Sequence, residues 1–341
     1  MALNWFPNFG IESSANDVEF QALHTYISTM TLFSVYIHKS KVHLGDAICT
    51  RIPTLAGFGA LRALHMAKYN QFNVLAFCQA LVTNSPRLET LALDSGSRRH
   101  DPKQWLDLTI LSQLDHLTDL EVTGYSHGVE ACRRLTSLSV TTCRNSYSWL
   151  NSALASPSLR TVRCLSIQFL DSSLPQLDKC DEVGVSWSVI FSNLCSLSSL
   201  TLRDCKQMNV VVPALIAHGR TMMLCALCFA SDVDKRMTHM RLPSIEQLGD
   251  ILTHLPLLTT LRLELPDPQT YPDINYIEFV AQSTYPYMEN VRQKLRPAFP
   301  NRRIEMFDYH NVADSLDPSS SDDNDDDEYA GDTTPTPTLQ L

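Results

Sequence analysis

The sequence predicts an α/β fold, a curved solenoid with a parallel sheet on its inner face and helices outside. The first observation behind this prediction is a recurring apolar spacing, L-x-x-L-x-L, which is clear in CSLSSLTLRDC at residues 195–205. The second is a helical spacing of apolar residues between successive matches. Stacked units of this kind bury one continuous core that no single unit could bury alone.

The direction in which each strand residue points follows from its odd or even position along the strand. Residues two positions apart in a strand share a face, so Leu200 and Leu202 are expected to point into the core while Thr201 and Arg203 point away. Leu197 has the opposite parity and is expected to enter the core from the bend before the strand. The nine matches are Leu32/Val35/Ile37, Leu61/Leu64/Met66, Leu88/Leu91/Leu93, Leu117/Leu120/Val122, Leu135/Leu138/Val140, Leu159/Val162/Cys164, Leu197/Leu200/Leu202, Leu224/Leu227/Phe229 and Leu258/Leu261/Leu263, and RRIEMF near Ile304 is a degenerate further match.

The matches are unevenly spaced, with a mean period of about 28 residues, which resembles the leucine-rich repeat and its L-x-x-L-x-L-x-x-N/C consensus. Cys205 and Cys143 fall at the N/C position of this consensus, so the cysteine spacing is interpreted as part of a repeat. The resemblance covers roughly residues 30–310 and implies one buried row of inward-facing residues. That row is predicted to contain Leu64, Leu91, Leu120, Leu138, Val162, Leu200, Leu227 and Leu261.

Helices are predicted in the return segments. NVLAFCQALVTNSP has helical apolar spacing and a break at Asn84-Ser85-Pro86, and SIEQLGDILTHLP has the same spacing after Ser244 as a candidate N-cap. YMENVRQKLRPAF predicts a last helix before the degenerate strand. The chain is therefore divided into a lead-in or cap at 1–20, a solenoid at 21–313 and a disordered acidic tail at 314–341.

Charge is concentrated in that tail. The sequence has a formal net charge of -10, and nine acids follow residue 313, which leaves the first 313 residues with a net charge of -1. The first 313 residues therefore lack the excess of basic residues that is expected of a nucleic-acid-binding protein. No apolar run reaches the ~18 residues typical of a membrane span, and the N-terminal residues do not resemble a signal peptide. Ten cysteines in such a chain are expected to be reduced thiols, so a cytoplasmic or nuclear location is predicted.

Known catalytic motifs are absent from the sequence. It contains no Walker loop, no G-x-S-x-G and no H-E-x-x-H, and GFGALR at 57–62 lacks the third glycine of a dinucleotide fingerprint. Cys225 and Cys228 form a C-x-x-C, but His218 and His239 are too far along the chain to complete a typical zinc site. No enzyme activity, cofactor or metal is predicted.

Irregular repeats without catalytic motifs, followed by an acidic Ser/Pro-containing tail, resemble the repeat domain of fungal F-box-type proteins. In that family an F-box helix bundle binds the adaptor of a cullin ubiquitin ligase, and the repeats hold the substrate. The LPxE opening of an F-box is missing here, and RIPTLAGF at 51–58 lies inside the repeats, so no adaptor-binding residue is assigned. The resemblance thus implies a substrate receptor, with an adaptor as a partner only if an F-box lies upstream.

Two function hypotheses follow. The first is a non-enzymatic protein-recognition scaffold, and the alternative is a hydrolase or transferase with an unrecognised active site. For the scaffold, the outward strand residues predict a partner-binding surface on the concave face, with mixed charges that suit a protein or peptide and not nucleic acid or membrane. The residues assigned to it are Tyr36, His38, His65, Glu121, Arg163, Arg203 and Arg262.

Overall fold

The computed structural model describes residues 2–5, 34–37, 58–67, 74–94, 106–123, 126–143, 147–170, 184–205, 207–230, 242–264 and 286–307. The predicted tail lies outside these residues, as does most of the predicted lead-in. Over the described ranges the chain is an α/β fold built on one open parallel sheet. No helix in these ranges is both long enough and apolar enough to traverse a bilayer.

Eleven strands of the described residues form the main sheet, in the order β1-β2-β3-β4-β6-β8-β9-β10-β11-β12-β13, and all neighbouring pairs are parallel. Nine of them, from β3 to β13, have described side chains. A second sheet is made by β5 and β7 alone. The strands are β1 Ala2–Trp5, β2 Ser34–Ile37, β3 Ala63–Ala67, β4 Thr90–Asp94, β5 Leu106–Asp107, β6 Asp119–Thr123, β7 Ser126–His127, β8 Ser137–Cys143, β9 Cys164–Leu170, β10 Ser199–Arg203, β11 Ala226–Ala230, β12 Thr260–Glu264 and β13 Arg303–Phe307.

Helices fill most of the described return segments, and several have clear sequence causes. The helix at 245–254 begins with a capping box, in which Ser244 Oγ accepts from the Gln247 amide and the Gln247 side chain accepts from the Ser244 amide. The predicted break at Asn84-Ser85-Pro86 ends the first helix. The helices are α1 Val74–Asn84, α2 Tyr147–Leu154, α3 Trp187–Asn193, α4 Met208–His218, α5 Ile245–His254 and α6 286–298, whose middle turn Val291–Leu295 is a π-helix.

The core is a single cluster that includes a row of strand leucines running through the sheet. Leu64 pairs in register with Leu91, and the row continues one residue per strand to Leu261 and Ile304. Every member of the row from Leu64 to Ile304 is buried, because alternate strand residues face the helices. Its members are Leu64, Leu91, Leu120, Leu138, Leu165, Leu200, Leu227, Leu261 and Ile304.

One predicted member of this row was wrong. Leu165 pairs with both Leu138 and Leu200, so it occupies the position that the sequence assigned to Val162. Val162 is fully buried, but it lies before β9, where its amide donates to the Leu159 carbonyl. The 3-10 turn Pro157–Leu159 holds Leu159 in the return segment and shifts the strand three residues along.

The unit between β6 and β8 is short, since Leu120 and Leu138 are register partners only 18 residues apart. It has no room for a long helix and instead uses β7 and the 3-10 turn Val129–Ala131. Gly128 joins these two pieces with a φ of 89°, a left-handed conformation that favours glycine. A Cβ on Gly128 would lie 2.3 Å from the Thr109 backbone nitrogen.

Hydroxyl groups connect successive units at the edge where the strands begin, which we call the amino edge. Ser198 and Thr259 occupy equivalent positions, two residues before Leu200 and Leu261. Each donates to a backbone carbonyl of the preceding unit, Ser198 to Arg163 and Thr259 to Cys225. Thr118 and Thr136 make the same bond, at longer distances. The amino edge is therefore tied along the sheet by side chains as well as by the strands.

Candidate partner-binding surface

The candidate site is the sheet surface that points away from the leucine core, which we call the open face and which corresponds to the predicted concave face. Its residues alternate along each strand with the buried row. In β10 the buried residues Leu200 and Leu202 alternate with half-buried Ser199, Thr201 and Arg203. The two-residue alternation expected from the sequence is therefore present in β10.

The central column of the open face follows directly from the strand register. It runs across ten strands from β2 to β13 with one residue per strand. The column consists of Tyr36, His65, Ala92, Glu121, Ser139, Ser166, Thr201, Cys228, Arg262 and Glu305.

The register brings four of the predicted binding residues to the open face, His65 and Glu121 at one end and Arg203 and Arg262 at the other. Tyr36 lies in the same column on β2, and His38 lies outside the described residues.

The placement of Arg163 was wrong. It precedes β9 at the amino edge, where its amide donates to the Thr136 carbonyl. Ser166 takes its place in the central column, because the three-residue shift that moved Val162 out of the strand also moved Arg163.

An ion-pair cluster fixes the positions of the two open-face arginines. Arg203 Nη2 lies 2.9 Å from Glu264 Oε2, and Arg262 Nε lies 2.9 Å from Glu264 Oε1. The first of these pairs reaches from β10 to β12 across β11, where the intervening residue is Ala230. A larger side chain at 230 would stand between the two charged groups. The Glu264 side chain is only 14% exposed, so the carboxylate is largely covered by its partners.

The cluster carries one more positive than negative charge, and its geometry leaves the arginines partly accessible. The side chains of Arg203 and Arg262 are 30% and 43% exposed. Bridging through one carboxylate restricts the rotamers of both, so less conformational entropy remains to be lost when a partner binds. Arg303 and Glu305 form a further ion pair on β13 beside this cluster.

Cys228 lies in the central column between Thr201 and Arg262 and is 9% exposed. Burial and, to a smaller extent, the neighbouring Glu264 carboxylate raise the pKa of the Cys228 thiol to about 12. The thiol is therefore protonated at neutral pH and is a poor nucleophile.

The other cysteine of the C-x-x-C, Cys225, is exposed just before β11. Within the described ranges, no three His, Cys, Asp or Glu side chains come together in a way that could hold a metal ion.

Charge varies systematically along the open face. At β6 it carries Asp119 and Glu121, whereas the outward residues Ser137, Ser139 and Thr141 of β8 and Cys164, Ser166 and Gln168 of β9 are uncharged. From β10 to β13 it carries arginines interleaved with Glu264 and Glu305. With strands ~4.8 Å apart, five strand steps separate Glu121 from Arg262 by ~24 Å. A ligand that spans both ends therefore needs charges of both signs.

Sequence reasoning missed Glu264 as part of the site, although Glu264 lies two residues after Arg262 in the same strand and therefore shares its face. The signal that could have found it is the alanine at 230, because a small residue between two opposite charges in one column lets their long side chains meet. Ser166 and Gln168 were missed because the register of β9 was shifted.

Comparison with known proteins gives no family assignment. No protein-family model matches the sequence, and no curated protein is significantly similar to it.

Proposed function

We propose that this chain is a non-enzymatic recognition scaffold that binds a protein or peptide ligand on the open face of its sheet. The observation that carries the proposal is the cluster of Arg203, Glu264 and Arg262, which holds two arginines in fixed positions on an otherwise accessible surface. Arginine is among the residue types that contribute most to protein interfaces, and pre-ordered side chains lose little entropy on binding.

The chemistry of the open face favours a folded protein or a peptide over a polyanion. Acidic residues at β6 would repel phosphates, and the arginines of β10 and β12 are already shared with a carboxylate. A ligand with a basic group over Glu121 and an acidic group over the arginines complements both ends. The hydroxyl groups of β8 and β9 supply hydrogen bonds between them.

The proposal extends to the repeat family of the chain and to its role in ubiquitin ligation. The in-register leucine row supports a leucine-rich-repeat solenoid, in which the side of the sheet opposite the helices is a common binding surface. The resemblance to F-box-type repeats would make the ligand a ubiquitin-ligase substrate and would require an adaptor-binding segment. Direct binding to a purified cullin adaptor tests this role, and an absence of binding would remove the ligase assignment while leaving the scaffold proposal in place.

The scaffold proposal is tested by a charge-matched pair of variants. Proteins captured by the wild-type chain are identified, and the dissociation constant of each is measured against Arg203→Gln/Arg262→Gln and against Arg87→Gln/Arg292→Gln. The second pair removes two exposed arginines that lie off the open face. Loss of two anchors should weaken binding by about tenfold or more, which corresponds to ~1.4 kcal/mol.

Folding of each variant is checked by its thermal unfolding midpoint. If the open-face pair binds as tightly as the control pair, the binding site is not on this surface.

A further inference from the structure

Four arginines lie together at the amino edge of the sheet, on the turns that lead into β8 and β9. Arg133 and Arg160 occupy equivalent positions, each five residues before the register partners Leu138 and Leu165. The other two, Arg134 and Arg163, lie in the same two turns. We call Arg133, Arg134, Arg160 and Arg163 the arginine cluster; all four are exposed.

The two turns are held against each other by hydrogen bonds. Thr161 Oγ1 donates to the Leu135 carbonyl at 2.9 Å, and the Arg163 amide donates to the Thr136 carbonyl at 2.8 Å. A pocket of about 440 Å³ lies between the turns that lead into β6 and β8 and reaches the β9 turn at Ser158; Arg133 and Arg134 line it, whereas Arg160 and Arg163 do not. The cluster therefore borders a concave surface that could receive a side chain.

The arginines of the cluster are not neutralised by ion pairs with described residues. Arg134 donates to the Asp115 backbone carbonyl, and Arg160 donates to Asn193 Oδ1. The guanidinium groups of Arg133 and Arg163 have no hydrogen-bond or ion-pair partner among the described residues. The pocket also contains Asp115 and Glu130, so the turns and the pocket together keep a net charge of +2.

We propose that the arginine cluster binds the acidic segment 322–328 of the same chain. This segment, DDNDDDE, has six carboxylates in seven residues, and arginine binds carboxylates through paired, charge-assisted hydrogen bonds. It is the densest acidic run in a chain whose first 313 residues are nearly neutral.

The segment is long enough to reach the cluster. The last described strand ends at Phe307, and the 14 residues before Asp322 span up to ~46 Å when extended. The end of β13 and the arginine cluster are four strand steps apart, which is ~19 Å across the sheet. They also lie at opposite ends of the strands, which adds ~23 Å along β9. The direct separation is therefore ~30 Å. Tethering also gives the segment an effective concentration that can reach the millimolar range, which permits weak contacts to be occupied.

A short acidic peptide fits the cluster better than nucleic acid does. The four arginines occupy two adjacent turns ~5 Å apart, which is enough for a few carboxylates and too small for a phosphate track. Asp115 and Glu130 lie at one end of the cluster and would repel a continuing backbone of phosphates. Acidic groups of a flexible peptide can avoid these positions.

The first experiment uses full-length protein and a fluorescent synthetic peptide of residues 314–341. In a second protein, the neutral-tail variant, the six acids of 322–328 are replaced by their amides without changing the chain length. The fluorescence anisotropy of the peptide at low salt measures its binding to this variant and to the wild type. The peptide should bind the neutral-tail variant about tenfold more tightly, because the tethered tail occupies the wild-type site. The neutral-tail variant carries Asp322→Asn, Asp323→Asn, Asp325→Asn, Asp326→Asn, Asp327→Asn and Glu328→Gln.

In the neutral-tail background, Arg133→Gln/Arg163→Gln should abolish peptide binding, whereas the control Arg87→Gln/Arg292→Gln should keep it. Equal binding to wild-type and neutral-tail proteins would overturn the proposal, and so would retained binding by the cluster variant. Displacement of the peptide by a single-stranded oligonucleotide at a lower concentration would overturn it in favour of a nucleic-acid site.

The second experiment measures the contact within one chain. An arginine-specific dicarbonyl reagent followed by peptide mass spectrometry should modify Arg133 and Arg163 more slowly in the wild type than in the neutral-tail variant. Arg87 is also exposed and should react at the same rate in both proteins. Identical rates at Arg133 and Arg163 in the two proteins would exclude the docked tail.

Discussion

At the scale of single residues, Gly128 occupies a position that other residues would strain. Its φ of 89° costs an L-residue ~1 to 2 kcal/mol, and an alanine Cβ would collide with the Thr109 backbone nitrogen. We expect Gly128→Ala to lower the free energy of unfolding by more than the backbone strain alone, measured by urea denaturation. Gly249→Ala in helix α5 is the control, because the added Cβ would meet only Cδ2 of Leu295, at 3.8 Å. That change should stabilise by ~0.5 to 1 kcal/mol, and a similar loss at both positions would contradict the argument.

At the scale of one strand, β10 gives a direct test of parity. Leu200 is fully buried in the register row, whereas Thr201 faces the open side. Leu200→Ala should lower the free energy of unfolding by ~2 to 5 kcal/mol, since it removes core contacts and leaves a cavity. The adjacent Thr201→Ala should change it by no more than ~0.5 kcal/mol. Comparable losses in the two variants, measured by chemical denaturation, would show that the strand does not alternate as described.

The strands and their buried row could largely be predicted from the sequence, because a two-residue alternation of leucines specifies both the strand and its buried face. The exception at β9 has a physical reason. Leu159, Val162 and Leu165 are all buried, so the L-x-x-L-x-L spacing fits in two registers and hydrophobicity cannot choose between them. The choice is made by the turn at Pro157–Leu159, whose Ser156 side chain accepts from the Ser158 amide. No comparable pattern marks the two-residue strands β5 and β7.

At the scale of the whole molecule, the sequence could place residues on the open face but could not show which of them meet. Arg203 and Glu264 are 61 residues apart in the chain and come together only because β10, β11 and β12 are aligned in one register. The arginine cluster was hidden for a related reason. Its members lie outside the strand pattern, in turns of two different units, and one of them had been assigned to the open face by the shifted register of β9.

The proposed contact of the acidic tail predicts how the tail affects the thermal stability of the whole chain. Removing residues 314–341 should lower the thermal midpoint by only a few degrees at low salt, because a docked segment at ten times its dissociation constant stabilises the fold by ~1.4 kcal/mol. At high salt the difference should vanish, since exposed ionic contacts are screened over ~3 Å at 1 M. Differential scanning calorimetry at two salt concentrations measures both effects. A loss of more than ~10 °C that persists at high salt would mean that the tail packs on the body through apolar contacts. With so few apolar residues between Asp314 and Leu341, the composition of the tail opposes that outcome.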